Sequence, residues 1–513
     1  MAMRILYLYG LENFLNYLYK YSISYNRSLM YNEGKQIGRK YVDMVYKERQ
    51  TIAAISTAVS ESGIGIVRMC GSQAIEIADK VYRGKKEKRL ISQKTYTIHY
   101  GYIVDGDEII DEVLVMLMRG PKTFTGEDTI EINCHGGVYV VNRVLDTLIK
   151  NGAGPAEPGE FTKRAFLNGK MDLSQAEAVI DVIQSENEYA LQSSITQLRG
   201  GIKNKISDVR KEILYHTAFI ESALDDPEHI SVDGYGEKLK GILENLMKEI
   251  KKMIDSSSSG RIIKEGINTV ILGKPNAGKS SLLNTLLGED RAIVTDIAGT
   301  TRDILQEHIR LQGISLNIVD TAGIRDTEDV IEKIGVDKAV QYAKESDLII
   351  YVIDSSIDLD ENDFSILSLL QEKKSVILLN KSDLDKVIDF NKIRDKYLEI
   401  NSTIKEFDIP VIDISARNGQ GIDILEQTIK DMFYKGHISF NTEVYITNAR
   451  HKDFLMKAYD SLNKVIDSIM NQMPEDFYSI DLIDAYESLG MITGDTMGED
   501  LINEIFSKFC MGK

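Results

Sequence analysis

Eight consecutive residues restrict this chain more than any others: Gly273, Lys274, Pro275, Asn276, Ala277, Gly278, Lys279 and Ser280 spell GxxxxGKS. They follow Ile267–Leu272, which reads as a buried strand. A strand that feeds such a loop into a helix wraps backbone amides around phosphate oxygens. The lysine then reaches the β and γ groups, and the serine hydroxyl ligates Mg²⁺. Between Gly266 and about Gly436, strand, loop and helix signals repeat, which predicts a doubly wound sheet around this loop.

Further motifs follow in the order a guanine nucleotide requires. Asn380, Lys381, Ser382 and Asp383 form NKxD after the strand-like Val376–Leu379, with Asp383 placed to accept the N1 and N2 protons of guanine. Ser415, Ala416 and Arg417 occupy the later position from which a backbone amide meets the guanine O6. Asp320, Thr321, Ala322 and Gly323 come after the strand-like Leu316–Val319, putting Asp320 near Mg²⁺ and the Gly323 amide near the γ-phosphate. Thr295, Asp296, Ile297, Ala298, Gly299, Thr300, Thr301, Arg302 and Asp303 read as the first switch, one of whose threonines binds Mg²⁺ on closure. Ile324 stands where small GTPases often carry a water-orienting Gln, so the water must be positioned by another residue.

At 513 residues the chain exceeds one ordinary core, and domains of about 100–200 residues predict roughly three units. Residues 51–169 alternate short β-branched runs, such as Ile64–Val67 and Val113–Leu117, with helical stretches, a mixed α/β pattern. Apolar spacing over Leu173, Ala176, Ile180 and Ile183, then from Leu191 through Val209, predicts long helices, and Leu239, Leu243, Leu246 and Ile250 another. Ser256–Gly260 reads as a flexible break. Helical spacing returns after the sheet, from Phe454 to Phe509. The economical arrangement is a helical domain in two parts, 170–264 and 437–513, split by an inserted doubly wound domain at 265–436. The first 46 residues hold nine of the 25 tyrosines and no secretory pattern; residues 1–50 are an extension, and Met44 is a candidate native start.

A formal charge of −18, from 61 Lys and Arg against 79 Asp and Glu, repels a polyphosphate, so any RNA contact must be local or shared with a partner. Cys70, Cys134 and Cys510 are widely separated and show neither disulfide nor metal spacing. No apolar run reaches the roughly 18 residues of a spanning helix, and a cytoplasmic location is expected.

From Thr51 to Lys513 the chain resembles the tRNA modification GTPase family MnmE, also called TrmE. Beyond the nucleotide motifs, the resemblance rests on Phe124-Thr125-Gly126-Glu127-Asp128, on Cys134-His135-Gly136-Gly137, and on Pro158-Gly159-Glu160-Phe161-Thr162 with Arg164 through Leu173. It closes on Phe509-Cys510-Met511-Gly512-Lys513. It implies a multidomain α/β plus α protein: an N-terminal α/β folate-binding and dimerising domain, a split all-helical domain, and an inserted doubly wound P-loop GTPase domain. The resemblance also implies hydrolysis of GTP driven by K⁺-dependent pairing of two GTPase domains. Asn276, Thr295, Ile297 and Thr300 would then surround K⁺, Ser280 and Thr301 would bind Mg²⁺, and Ser281 would join the nucleotide contacts. Glu332 would orient water, alongside Lys279 in the catalytic set.

In the N-terminal domain the resemblance places 5-formyltetrahydrofolate, or a related tetrahydrofolate, against Arg68, Glu131, Lys170 and the terminal Lys513. The implied work is addition of a (carboxymethyl)aminomethyl group at C5 of wobble uridine 34 in tRNA. A homodimer would act there with an FAD-dependent MnmG-type partner in a heterotetramer. An alternative is a GTP-dependent assembly factor, for example a ribosomal one, with a non-catalytic dimerisation domain. Cys510, beside Phe506 and Phe509, reads first as a packed thiol and second as a nucleophile. His135, among glycines, reads as part of a tight turn at least as readily as a catalytic group.

Overall fold

Strand periodicity decides how each of two sheets is covered. The computed structural model describes residues 50–84, 88–231, 234–288, 307–311, 313–318, 341–401, 404, 406–434 and 444–512. In the first region, β1 (Ile52–Ile55), β2 (Ser62–Cys70), β3 (Tyr82–Gly84), β4 (Thr97–Asp105), β5 (Glu108–Met118), β6 (Thr129–Gly136) and β7 (Gly154–Pro155) form a sheet ordered β3-β4-β5-β6-β2-β1-β7. Helices α1 (Ala74–Val81), α2 (Val138–Lys150) and α3 (Glu160–Leu167) accompany it. Along β5, Val113, Val115 and Leu117 are buried with Ile77 of α1 and Val144 of α2, whereas the intervening Leu114 is 45% exposed. Successive strand residues point to opposite faces, so one face is core and the other is partly open. On that second face Phe161 of α3 and Ala156 cover Ile52, Ala54 and Cys70.

Four helices follow: α4 (Leu173–Ile183), α5 (Glu188–Leu198), α6 (Gly201–Asp225) and α7 (Tyr235–Glu265). The apolar spacing that runs on from Leu191 to Val209 is interrupted by Gly200 at φ 90°, which divides α5 from α6. The break expected at Ser256–Gly260 is absent: α7 continues through all five residues. Serine and glycine are used there for close approach. A Cβ on Gly260 would meet the Ile446 carbonyl oxygen at 2.2 Å, and Ser256 Oγ accepts the Ile446 amide at 3.2 Å.

The second sheet contains β8 (Ile267–Leu272), β9 (Glu307–Leu311), β10 (Ile314–Ile318), β11 (Leu348–Asp354), β12 (Lys374–Asn380) and β13 (Val411–Asp413), ordered β13-β12-β11-β8-β10-β9. All neighbours pair in parallel except β9 with β10. Helices α8 (Lys279–Leu287), α9 (Glu361–Leu369), α10 (Phe390–Ile400) and α11 (Ile422–Tyr434) intersperse the strands. Leu348, Ile350 and Val352 of β11 enter one core, and Ile349, Tyr351 and Ile353 the other, so both faces are covered as a parallel sheet demands. This is the expected doubly wound domain inserted between helices. After it come α12 (Ala449–Met470), α13 (Asp476–Thr493) and α14 (Glu499–Ser507), and α12 packs along α7.

Two compact units result. One comprises the residues up to Ile180, Lys203–Leu214 and Tyr486 onward; the other comprises Asp181–Ile202 and Tyr215–Ala485. No helix among the described residues is long and apolar enough to cross a membrane.

Candidate functional site

In the second unit β8 lies between β10 and β11, where the strand order reverses, and its carboxyl end leads into Gly273. Doubly wound sheets bind ligands in the crevice at such a switch point. Asn276 adopts φ 62°, a left-handed conformation that asparagine tolerates better than most residues, and it is exposed at the loop apex. Gly278 sits at φ 100°, and a Cβ there would lie 2.0 Å from Asn380 Nδ2. Only glycine lets the loop close on Asn380. Helix α8 begins at Lys279, with Ser280 and Ser281 exposed in its first turn, so the positive end of its dipole lies at the loop. Lys279 Nζ donates to the carbonyls of Gly273 at 2.8 Å and Lys274 at 2.9 Å. Burial holds this ammonium below the usual lysine range. An ammonium partly stripped of water and bonded to neutral carbonyls gains strongly from an arriving anion.

Asn380, at the end of β12 and 3% exposed, joins three loops. Its Nδ2 donates to the Ala277 carbonyl at 2.8 Å, and its Oδ1 accepts the Ala416 amide at 3.0 Å. Thr285 of α8 adds a bond to the Ala416 carbonyl at 2.6 Å. The Ala416 amide, a candidate donor to a guanine O6, is thus engaged by Asn380 here. Ser415 Oγ donates to Asp383 Oδ1 at 2.7 Å, and that bond holds the exposed carboxyl below the usual carboxylate range, ionised at neutral pH. Lys381, at φ 63°, pairs with Asp354 Oδ2 at 2.5 Å, and Arg417 is exposed. Asp354 was not among the residues singled out from sequence, although a lone Asp ending the apolar run Leu348–Ile353 is a signal that could have found it. Thr295–Thr301, Asp320–Gly323, Glu332 and Lys513 lie outside the described residues.

In the first unit the β2–β6 register sets Arg68 directly opposite Glu131. Arg68 Nε donates to Glu131 Oε1 at 2.8 Å, and both side chains are about four-fifths buried, at 20% and 18% exposure. Phe161 lies under the guanidinium, 5.6 Å from ring centroid to Cζ. Arg68 also donates to the Gly512 carbonyl at 3.2 Å, as does Ser56 Oγ at 3.0 Å, so Gly512 docks beside this pair. Lys170 is exposed and donates to the Pro121 carbonyl at 3.0 Å. Cys510 is exposed, against the first expectation of a packed thiol; Phe506 and Phe509 fill the core and leave the cysteine facing outward. His135 is exposed, with its backbone N–H and Nδ1 both bonded at 2.7 Å to Asp111.

Sequence profiles of two families cover almost all of this architecture. The one described as "MnmE helical domain" matches residues 173–510, and the one described as "GTP-binding protein TrmE N-terminus" matches residues 51–170. A tRNA modification GTPase MnmE of Lachnoclostridium phytofermentans is 56% identical over 464 residues, 90% of this chain and 99% of that protein. This chain belongs to the MnmE family. MnmE proteins of Clostridioides difficile and Acetivibrio thermocellus are each 48% identical, over 90% and 91% of this chain and 99% and 100% of their own lengths.

The structure brings the segments at 124–128 and 158–173 together. Arg164 Nη1 donates to Glu127 Oε2 at 3.0 Å with both side chains over nine-tenths buried, and Arg164 also pairs with Glu160 at 2.7 Å. Asn168 donates to the Thr125 carbonyl at 2.6 Å, and Cys70 Sγ lies 3.0 Å from Thr125 Oγ1. A buried ion pair is tolerable only when its remaining polar atoms are bonded. These motif residues form such a network beneath the sheet.

Proposed function

We propose that this chain hydrolyses GTP as part of an enzyme that modifies tRNA. The observation that carries the reading is the guanine-side assembly: Asn380 fastens the phosphate loop to the 415–417 loop, while Ser415 donates to the exposed Asp383 carboxylate. An ionised carboxylate there accepts the N1 and N2 protons that guanine offers and adenine does not. The activity in the names of relatives at 48–56% identity supports the same reading.

In this reading Lys279 and the α8 amides hold the β and γ phosphates, and Glu332 orients the attacking water. The exposed Ser280 hydroxyl suits a hard cation, so Ser280 with Thr301 would hold Mg²⁺. The exposed side-chain carbonyl of Asn276 at the loop apex suits K⁺, with Thr295, Ile297 and Thr300. The two cations supply positive charge to the phosphate oxygens during transfer. In the N-terminal unit the paired Arg68 and Glu131 fit the carboxylates and pterin edge of 5-formyltetrahydrofolate, joined by Lys170 and Lys513. The product is the (carboxymethyl)aminomethyl group at C5 of uridine 34, made by a cytoplasmic homodimer with an FAD-dependent MnmG-type partner.

GTP turnover measured in K⁺ and in Na⁺ tests the activation: faster turnover in K⁺ is expected, and equal rates discard the potassium mechanism. Mass spectrometry of tRNA from cells lacking the protein tests the pathway. Unmodified wobble uridine is expected there, whereas an unchanged modification profile points to an assembly factor instead.

A further inference from the structure

The second residue of the phosphate loop is an unspecified x in GxxxxGKS, yet Lys274 is among the most constrained side chains of the site. Its side chain is 12% exposed, and Nζ lies 2.7 Å from Asp363 Oδ2 and 3.0 Å from Asp360 Oδ2. Neither acceptor is a loose surface carboxylate. Asp363 is 1% exposed; its Oδ1 accepts the Tyr351 hydroxyl at 2.6 Å, and its Oδ2 also accepts the Asp360 amide at 2.9 Å. Asp360 caps helix α9, its Oδ1 accepting the amides of Asn362 and Asp363. The lysine is therefore tied to a helix terminus and to the buried face of β11.

The backbone of the same residue serves the nucleotide lysine, because the Lys274 carbonyl is one of the two acceptors of Lys279 Nζ. We propose that Lys274 is a positioning residue of the nucleotide site: its ammonium, clamped by Asp360 and Asp363, fixes the peptide whose carbonyl holds Lys279 and so presets the loop for phosphate. The clamp uses none of the atoms that a phosphate would contact. It stays closed while Lys279 exchanges its carbonyl partners for phosphate oxygens. Burial alone depresses an ammonium, but the two carboxylates outweigh it and raise Lys274 above the usual lysine range, so the ammonium stays charged at neutral pH.

A residue that presets the cradle acts equally on the ground state and the transition state. Its loss raises KM and leaves kcat nearly unchanged, whereas a merely structural defect lowers the active fraction, and with it kcat, at constant KM. The test uses the full chain carrying Lys274→Met, Asp363→Asn or both, with steady-state GTP hydrolysis and nucleotide binding measured beside the wild type. KM for GTP is expected to rise about tenfold in Asp363→Asn, which loses one charged hydrogen bond, and at least as much in Lys274→Met, which loses both, with kcat within about threefold in each. The double variant should be no worse than Lys274→Met alone, because that substitution already removes the ammonium that Asp363 binds. Lys274→Arg, whose planar fork can span two carboxylates, should recover most of the affinity.

An unchanged KM in Lys274→Met, a fall in kcat alone, or additive losses in the double variant would each overturn the clamp. Should Lys274→Met fail to fold, the charge-balanced double variant and Lys274→Arg still report on KM. The proposal rests on the GTP reading of the loop, and the wild-type control separates the two: no turnover by wild type removes that reading, whereas normal wild-type turnover with an unaffected variant removes only the clamp.

Discussion

The nucleotide site and the Arg68 site are built on opposite principles. The first is made largely of backbone from short contiguous segments at the ends of β8, β12 and β13, and its longest internal tie, from Thr285 to Ala416, spans 131 positions. The second is made of side chains gathered from β2, β6 and α3, and is closed by Gly512, 444 positions from Arg68. A backbone cradle depends on local conformation and tolerates varied side chains, so its signature is a compact string. A side-chain constellation depends on register and on where the chain ends. Its members form no compact string, and Arg68 and Glu131 stand out in the sequence only through the family resemblance.

That contrast can be broken or sharpened by substitution. The largest effect is expected at the buried network beneath the first sheet: Arg164→Ala leaves Glu127 without its main counter-charge and should cost ~3–5 kcal/mol in denaturant unfolding of the N-terminal unit. A loss below about 1 kcal/mol would make the pair dispensable and remove the structural account of the motif at 124–128. Next comes Asp383→Asn, which exchanges an acceptor for a donor on the guanine side. GTP affinity should fall about a hundredfold while xanthosine triphosphate gains, as competition binding would reveal, and an unaltered base preference would sink the assignment. Gly260→Ala should follow, at ~1–3 kcal/mol in thermal unfolding, because its methyl would strike the Ile446 carbonyl. A neutral result would mean that the crossing can relax.

The smallest perturbation is chemical. Burial, aided by Glu127, pushes the Cys70 thiol up to about 12, and burial with Asp111 pushes Cys134 up to about 11. Both thiols are stable in their protonated form, and that contribution is lost as pH climbs from the ordinary thiol range through these raised values. Iodoacetamide at pH 8 should therefore label Cys510 and spare the other two until the chain unfolds, as peptide mass spectrometry would read directly. Rapid labelling of Cys70 in the native protein would contradict the packing beneath the sheet.

The second sheet was legible from repeated strand, loop and helix signals and the first region as a mixed α/β pattern, while the phosphate loop, NKSD and Ser-Ala-Arg segments were legible as strings whose spacing matches a nucleotide. Asn380 was visible in its motif, but its role as the tie among three loops was not, since that depends on β8 and β12 flanking β11. Ser256–Gly260 misled for a related reason. Small residues favour breaks in isolation, yet here a tertiary neighbour selects them for close approach within a continuous helix.

Outside Ser256–Gly260, the amino-acid order alone pointed to the strand runs, the helical stretches and the loop that can cradle phosphate, because those follow from short-range sterics and hydrogen bonding. Tertiary structure decided that Lys274 is clamped, that Arg164 meets Glu127, that Cys510 faces outward and that Gly512 closes on Arg68. Each of those facts depends on a partner fixed by packing and register, and no spacing along the chain encodes the position of a partner 444 residues away.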